Sequence, residues 1–306
     1  MVTQRADPLG HHGAASHCAD ELHRLDLALA SMADADGADA ATRRAHLHLR
    51  HARLSGVLDE LRGADIVVSA ALDRYPDWPD LSYLRASADL DLHQPGAALA
   101  RLEAVTGLAE SPAFLELRGA AFEQLSCYRQ AHDCFTRAIT ADPSWQALAG
   151  LAQVRAAAGD PGAADALYEQ AEDELTAKQM SAFAWVRAAR GELAAASGDR
   201  ETAWHHYRRA AAAFSGYWIV ESHVAGLLRQ ENRLDEAAAA YAAIRARTAR
   251  PELAQALGDV HRLRGDEGES ARWYAVARAE YRDSAARGEA LYLHHLARMS
   301  DDRSRA

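Results

Sequence analysis

The sequence predicts an all-α fold built from about seven stacked helical hairpins. Hydrophobic residues make up 49% of the 306-residue chain, and much of that fraction is alanine, the residue with the highest helix propensity. Only 8 prolines interrupt the chain. A pattern of small and large apolar residues recurs at intervals of about 34 residues, which is the length of a helical hairpin and its turns. A thin core between closely spaced helices follows from these features.

The clearest unit covers residues 112–143 and predicts two helices joined by a short turn. Gly119 and Ala131 are small where the two helices must approach closely, whereas Phe122 and Phe135 are large where the next hairpin must be met. The proline at the end of the unit stops the second helix, because proline cannot continue one. The pattern therefore defines both the hairpin and the faces that stack.

This series of small, aromatic and proline residues resembles the tetratricopeptide repeat. Similar series can be placed seven times between about residues 45 and 280, with aromatic packing residues on the second helices, namely Tyr168, Tyr207, Tyr241 and Tyr274. The resemblance implies an α-solenoid, a right-handed superhelix in which the first helix of each hairpin lines the concave side. That side is the usual recognition surface of the family.

Four segments are expected along the chain. Residues 1–17 are polar and predict a mobile tail, and residues 18–44 predict an N-terminal capping helix with a turn. Residues 45–277 form the repeat array, and a long connector after its fourth unit predicts an extended second helix there. Residues 278–306 predict a C-terminal capping helix and a short tail, because the last repeat of a solenoid otherwise exposes its apolar face.

Charge and cysteine usage exclude several classes of protein. The formal charge of −10, from 34 Lys+Arg and 44 Asp+Glu, argues against binding to nucleic acid or to an anionic membrane. No apolar run approaches the roughly 18 residues of a membrane-spanning helix, and no secretory signal is evident. The three cysteines form no CxxC motif and indicate free thiols, so we expect a cytoplasmic protein. The lysine-poor, alanine-rich composition is typical of bacteria with GC-rich genomes.

The repeat register turns a set of mainly acidic side chains toward the concave face. These candidate partner-binding residues are Arg53, Tyr83, Glu116, Glu123, Gln153, Trp185, Glu192, Glu252, Asp259 and Arg262. One interpretation is a groove for a protein or peptide segment with basic character, in which Trp185 is an aromatic anchor. The other interpretation is the solvated face of an acidic protein. The remaining tryptophans of the repeats are interpreted as packing residues.

The family includes a subgroup that binds chaperone C-terminal carboxylates through a clamp of lysines and asparagines. Lys178 is the only lysine of this chain, and it falls in the long connector. Acidic side chains at the clamp positions would repel a carboxylate. We therefore expect no chaperone-tail binding.

Histidines offer an alternative function of a different class, metal binding. His11, His12 and His17 lie near Cys18 in the N-terminal stretch, and His48 and His51 are three residues apart on one helix face. A metal site needs three or four converging ligands, and the sequence has no HExxH motif. Stoichiometric metal in untagged protein would support this alternative.

Catalysis has less support than either kind of binding. The sequence lacks a GxSxG motif, a P-loop and a glycine-rich phosphate-binding turn. Cys127 would need a nearby base to act as a nucleophile, and His132 lies across a helix start. We expect a non-enzymatic protein without a cofactor.

Overall fold

The computed structural model describes residues 16–105 and 107–287. Within these ranges it contains fifteen α-helices and no strand, which confirms the all-α prediction. No helix in the described ranges is both long and apolar enough to cross a bilayer.

The described part of the chain consists of one single helix followed by seven helical hairpins. Helix α1 (His17–Ser31) precedes the first hairpin. The hairpins are α2 (Ala38–Ser55) with α3 (Leu58–Arg74), α4 (Pro79–Asp91) with α5 (Pro95–Ala104), α6 (Pro112–Gln124) with α7 (Tyr128–Ala141), α8 (Trp145–Ala157) with α9 (Pro161–Asp173), α10 (Met180–Ala196) with α11 (Arg200–Ala213), α12 (Trp218–Gln230) with α13 (Leu234–Thr248), and α14 (Pro251–Leu263) with α15 (Glu267–Ala286). The prediction of about seven stacked hairpins is confirmed.

Glycine on a first helix faces an aromatic ring on the second helix in three hairpins. A Cβ built at Gly119 would lie 2.7 Å from the Phe135 ring, closer than packed carbon atoms approach. The pairs with this arrangement are Gly119 with Phe135, Gly191 with Tyr207, and Gly258 with Tyr274. The small–large pattern therefore sets the spacing of the helices.

Aspartates begin the second helices of three hairpins. The side chains of Asp160, Asp199 and Asp266 each accept a hydrogen bond from a backbone N–H in the first turn of α9, α11 and α15. These bonds satisfy donors that have no partner within the helix. The turn and the helix start are thus encoded together.

Asp89 stands on α4 where the repeat pattern calls for an apolar residue, and it is fully buried. It accepts a hydrogen bond from Nε of Arg101 at 2.6 Å, and its other oxygen lies 3.4 Å from Arg85. A buried charge of this kind is tolerated only when it is paired. The two arginines allow the carboxylate to occupy the core of the second hairpin.

Several predicted boundaries are wrong in detail. The first hairpin begins at Ala38 rather than near residue 45, and α15 continues through position 278, so no separate helix starts there. The second helix of the fourth unit is not extended, since α9 ends at Asp173 and the additional residues lie in the connector and in α10. Residues 1–15 and 288–306, which carry most of the predicted tails, lie outside the described residues.

The solenoid closes on itself, because its first hairpin touches its sixth. The Oγ atom of Ser16 and the backbone N–H of Cys18 both donate to the carbonyl of Ser215, at 3.0 and 3.1 Å. The indole N–H of Trp218 donates to the carbonyl of Arg53 at 3.2 Å. We call these contacts, together with a hydrogen bond at 3.2 Å from Arg250 to the carbonyl of Gly56, the ring contact. The ring contact also includes the backbone N–H of His17, which donates to the Ser215 hydroxyl at 3.1 Å, so residues 16 and 17 are not part of the predicted tail.

Candidate binding cavity

The inner faces of the first helices surround a central cavity of about 800 Å³. Helices α2, α4, α6, α8, α10 and α12 all contribute to its wall. The ring contact completes the wall, since Trp218 and Arg250 line the cavity next to the C-terminal end of α2, to which they are hydrogen-bonded. Its volume lies within the range of pockets that bind ligands.

Six aromatic residues contribute to the apolar part of the wall: Tyr83, Phe135, Trp145, Trp185, Tyr217 and Trp218. The rings of Trp145 and Trp185 are 6.2 Å apart between centroids and tilted by 59°. Trp185 was predicted to be an anchor, whereas Trp145 and Trp218 were interpreted as packing residues. Both do pack on core clusters, but both also line the cavity. Trp145 and Trp218 are the first residues of α8 and of α12, and this shared position was the sequence signal that could have placed both on the cavity wall.

Arg53 is held in place by groups on the neighbouring helix α4. Its Nε donates to Asp91 at 2.8 Å, and a terminal nitrogen donates to the hydroxyl of Ser87 at 2.6 Å. Burial acts to lower the pKa of Arg53, but the adjacent Asp91 carboxylate outweighs that effect and the pKa is raised. The Arg53 guanidinium therefore stays protonated, and the Asp91 carboxylate balances its positive charge.

The other two arginines of the wall also have acidic partners. Arg50 forms an ion pair with Glu21 of α1, and Arg250 forms one with Glu252. The Arg250 guanidinium also lies 4.5 Å from the centroid of the Trp218 ring, a cation–π distance. With Asp91 and Glu116, the wall has three arginines and two carboxylates. The repeat register predicted more acidic than basic side chains on the concave face. The wall of this cavity does not show that excess.

Glu116 differs from the other charged groups of the cavity. It is half-buried and accepts a hydrogen bond from the hydroxyl of Ser144, the N-cap residue of α8. Burial raises the pKa of the Glu116 carboxyl, an effect that the Ser144 hydrogen bond opposes. Within residues 16–105 and 107–287, no basic side chain forms an ion pair with it.

A smaller cavity of about 440 Å³ adjoins the central one, since Gln153 and Trp185 line both. Its wall includes Glu192, whose carboxylate is 4.0 Å from Nδ1 of His223. Burial lowers the pKa of His223, and Glu192 opposes this. Glu123 does not line either cavity, and burial raises the pKa of its half-buried carboxyl. The acidic residues of the middle repeats thus lie in different environments.

Three predicted residues on α14 are not brought to either cavity. Asp259 accepts a hydrogen bond from the Tyr274 hydroxyl at 2.5 Å and lies 3.7 Å from Arg229. Arg262 is exposed and donates to the same hydroxyl at 3.3 Å. Glu252 forms an ion pair with Arg250 but does not itself line either cavity. Because the ring closes at α12 and Arg250, the inner face of α14 stays outside the central cavity.

The histidines proposed as metal ligands have other contacts. His51 lies between Glu60, 2.7 Å from Nδ1, and Asp26, 3.2 Å from Nε2. Burial lowers the pKa of His48. Among the residues that the structure describes, no group of three or more His, Cys, Asp and Glu side chains is placed to hold a metal ion. His11 and His12 lie outside the described residues.

His17 and Cys18 belong to the ring contact. Nδ1 of His17 accepts a hydrogen bond from the backbone N–H of Ser215 at 3.3 Å. Cys18 is buried, its thiol lies 3.7 Å from the carbonyl of Leu54, and burial raises its pKa to about 11. The thiol is therefore protonated at neutral pH, a form that does not bind metal.

Comparisons with known proteins identify the fold. No protein-family model matches the chain, and no curated protein matches it by sequence. A crystal structure of the APC/C hetero-tetramer Cut9-Hcn1 matches 95% of this chain with a TM-score of 0.68 and 14% identity, and the chain spans 55% of that protein's length. A tetratricopeptide repeat protein from Parabacteroides merdae matches 79% of this chain and 92% of its own, with a TM-score of 0.58 and 15% identity.

The chain has the tetratricopeptide repeat fold. The same fold is shared by human IFIT1, solved as a dimer with PPP-AAAA. That structure matches 85% of this chain and 68% of its own, with a TM-score of 0.56 and 12% identity. Identities at this level relate the folds of the proteins and leave function to be argued from the cavity.

Proposed function

We propose that this tetratricopeptide repeat chain is a non-enzymatic scaffold that binds a segment of a partner protein in its central cavity. The supporting observation is the cavity itself, in which six aromatic residues lie among amide and charged groups. Trp and Tyr are the residues that most often dominate binding energy in buried pockets. Exposed Gln146 and Gln153 add groups that pair with a peptide backbone.

The charges of the two cavities favour a partner with basic groups. Arg50, Arg53 and Arg250 each already have a carboxylate beside them. Glu116 has no basic counterpart in the described chain, and Glu192 has only a histidine at 4.0 Å. A lysine or arginine of the partner would supply the missing charge, in agreement with the basic segment that the sequence suggested as a partner.

Two serine hydroxyls at the cavity, those of Ser87 and Ser144, lack the surroundings of a catalytic nucleophile. The Ser87 hydroxyl accepts a hydrogen bond from Arg53, a group that cannot take up a proton. The Ser144 hydroxyl, next to the cavity, is the donor to Glu116 and caps α8. The Ser87 hydroxyl therefore has no base beside it, and no third group in the described chain orients the Glu116 carboxylate beside Ser144.

A nucleic acid is the less favoured ligand, although IFIT1 of the same fold was solved with PPP-AAAA. A triphosphate entering this cavity would have to displace the carboxylates from its arginines, and the whole chain carries a charge of −10. We keep the predictions of no nucleic-acid partner, no membrane partner and no chaperone carboxylate. The predictions of a bacterial source and a cytoplasmic location rest on composition.

Selection of peptides from a random 12-residue display library tests the proposal. Peptides selected on the full chain are measured again on Gln153→Trp, which places a bulky ring where the two cavities meet. The matched control is Gln170→Trp on α9, where the replaced side chain is also exposed and lines neither cavity.

We expect binding to weaken at least about tenfold in Gln153→Trp and to stay unchanged in Gln170→Trp, since a tenfold loss needs only about 1.4 kcal/mol of lost contact. Equal binding to both variants would show that the peptide lies elsewhere. Failure to select any peptide would count against the scaffold.

A further inference from the structure

Glu116 shares the wall of the central cavity with the aromatic residues Tyr83 and Trp145. It accepts a hydrogen bond from Ser144, and Trp145 is the next residue along the chain. Tyr83 lies close enough that, after burial, the Glu116 charge is the next cause of the raised pKa of its hydroxyl. Glu116, Tyr83 and Trp145 all line the central cavity. Three elements, α4, α6 and α8, thus bring one carboxylate and two rings together.

The carboxylate of Glu116 is the one charge on this wall that the described chain leaves without an ionic partner. The three arginines are paired with Asp91, Glu21 and Glu252. The remaining acid of the wall, Asp91, is bound by Arg53. A half-buried carboxylate in such a site gains from any cation that enters, because the surroundings screen the charge less than water does.

The aromatic rings add an attraction for the same kind of group. Trp and Tyr faces attract ammonium and guanidinium groups, and Trp attracts them most strongly. The Trp185 ring, which also lines the cavity, lies 6.2 Å from the Trp145 ring between centroids and is tilted by 59° to it. The carboxylate and the rings therefore favour one ligand chemistry.

We propose that Glu116, Tyr83 and Trp145 form a subsite for one cationic side chain, lysine or arginine, of the bound segment. The inference rests on the proposed function and names the part of the partner that this region recognises. The three arginines of the wall, Arg50, Arg53 and Arg250, stay in their ion pairs when the subsite is filled. A neutral side chain of the same length gains only apolar contact there.

Small probes test the subsite on the full chain without knowledge of the partner. The cationic probes are N-acetyl-lysine N-methylamide and N-acetyl-arginine N-methylamide, and the neutral ones are the norleucine and citrulline counterparts. Saturation-transfer NMR gives a dissociation constant for each. Glu116→Gln removes the charge but keeps an acceptor for Ser144, and Glu169→Gln, at an exposed position of α9, is the matched control.

We expect the cationic probes to bind about tenfold more tightly than their neutral counterparts, the effect of one partly screened charge. The preference should fall below about twofold in Glu116→Gln and persist in Glu169→Gln. Equal binding of the neutral probes, or a preference that survives Glu116→Gln, overturns the subsite. If the preference depends on Glu116 but no peptide is selected from the library, the subsite stands and the scaffold proposal fails.

Discussion

Single glycines decide how closely the two helices of a hairpin approach. The Phe135 ring leaves no room for a Cβ at Gly119, where it would lie 2.7 Å away. Gly226 in α12 has a different environment, because a Cβ there would lie 3.6 Å from the Tyr241 hydroxyl, an ordinary contact. The same substitution should therefore have opposite effects at the two positions.

Gly119→Ala should destabilise the protein by about 1 kcal/mol, since overpacking costs about 1–3 kcal/mol and alanine recovers about 1 kcal/mol of helix propensity. Gly226→Ala should stabilise it by up to about 1 kcal/mol, because only the propensity changes. Urea unfolding followed by circular dichroism measures both. If both variants are stabilised alike, the Phe135 ring moves at no cost and the proposed packing is wrong.

At the scale of elements, a buried polar network joins α9, α10 and α11. Arg190 donates to both oxygens of Asp165, at 2.7 and 2.9 Å, and to Glu172 at 3.1 Å. Arg187 forms an ion pair with Glu172 and contacts Nδ1 of His206 at 3.2 Å. Because arginine only donates, Nδ1 must accept, so His206 is neutral and carries its proton on Nε2.

Acid should weaken this junction through His206. Burial, with the Arg190 and Arg187 charges, lowers its pKa from 6.5 to about 4. The unfolded chain therefore binds the proton more readily, so stability is complete above pH 6.5 and is lost as pH falls toward 4. The loss approaches about 3 kcal/mol at pH 4 and below.

Unfolding free energies measured between pH 7.5 and 4 check this expectation against His206→Gln, whose side-chain oxygen can still accept from Arg187 but does not titrate. The two proteins share their other titrating groups, so the difference between them isolates His206. Parallel pH profiles would contradict the assigned protonation state.

The hairpins could be predicted from the sequence because each depends on residues close in the chain. Gly119 and Phe135, or the aspartate caps, act within one unit and leave a local pattern. The buried pairs of Arg187 and Asp89 could not be predicted, because each depends on a charged partner on another helix, Glu172 for Arg187 and Arg101 for Asp89. A repeat pattern shows which positions are buried. It does not show which oppositely charged residues pair when charges occupy buried positions.

At the scale of the whole molecule, the ring contact joins residues that are 165 and 199 positions apart. Their meeting depends on the curvature accumulated over the intervening hairpins, which no single unit specifies. The sequence therefore predicted that Tyr83, Glu116 and Trp185 share a face, but it did not predict that Trp218 and Arg250 complete the wall. The same cause left the α14 residues outside the cavity.

Gly56→Ala should open the ring contact. Gly56 has φ 71°, and a Cβ there would lie 2.6 Å from Nε1 of Trp218. Gly198→Ala is the matched control, since Gly198 has φ 84° and open space around it. Each change costs about 1–2 kcal/mol in backbone strain.

Only Gly56→Ala should also loosen distant helices, and hydrogen exchange measured by mass spectrometry separates the two effects. We expect faster exchange in α1, α2 and α12 of Gly56→Ala, and faster exchange limited to the α10–α11 turn in Gly198→Ala. If exchange in α12 is unchanged in Gly56→Ala, the ring contact contributes little to holding the hairpins together.

The closed ring also limits how such an array can change in length. An open solenoid tolerates the duplication or loss of a hairpin, because each unit contacts only its neighbours. Here an added hairpin between α2 and α12 would carry the Ser215 carbonyl past its donors on Ser16 and Cys18, and the Trp218 indole past the Arg53 carbonyl. A missing hairpin would leave both groups short of their partners. The number of hairpins between these helices is therefore set by geometry, and gain or loss of one unit would abolish the cavity along with the contact.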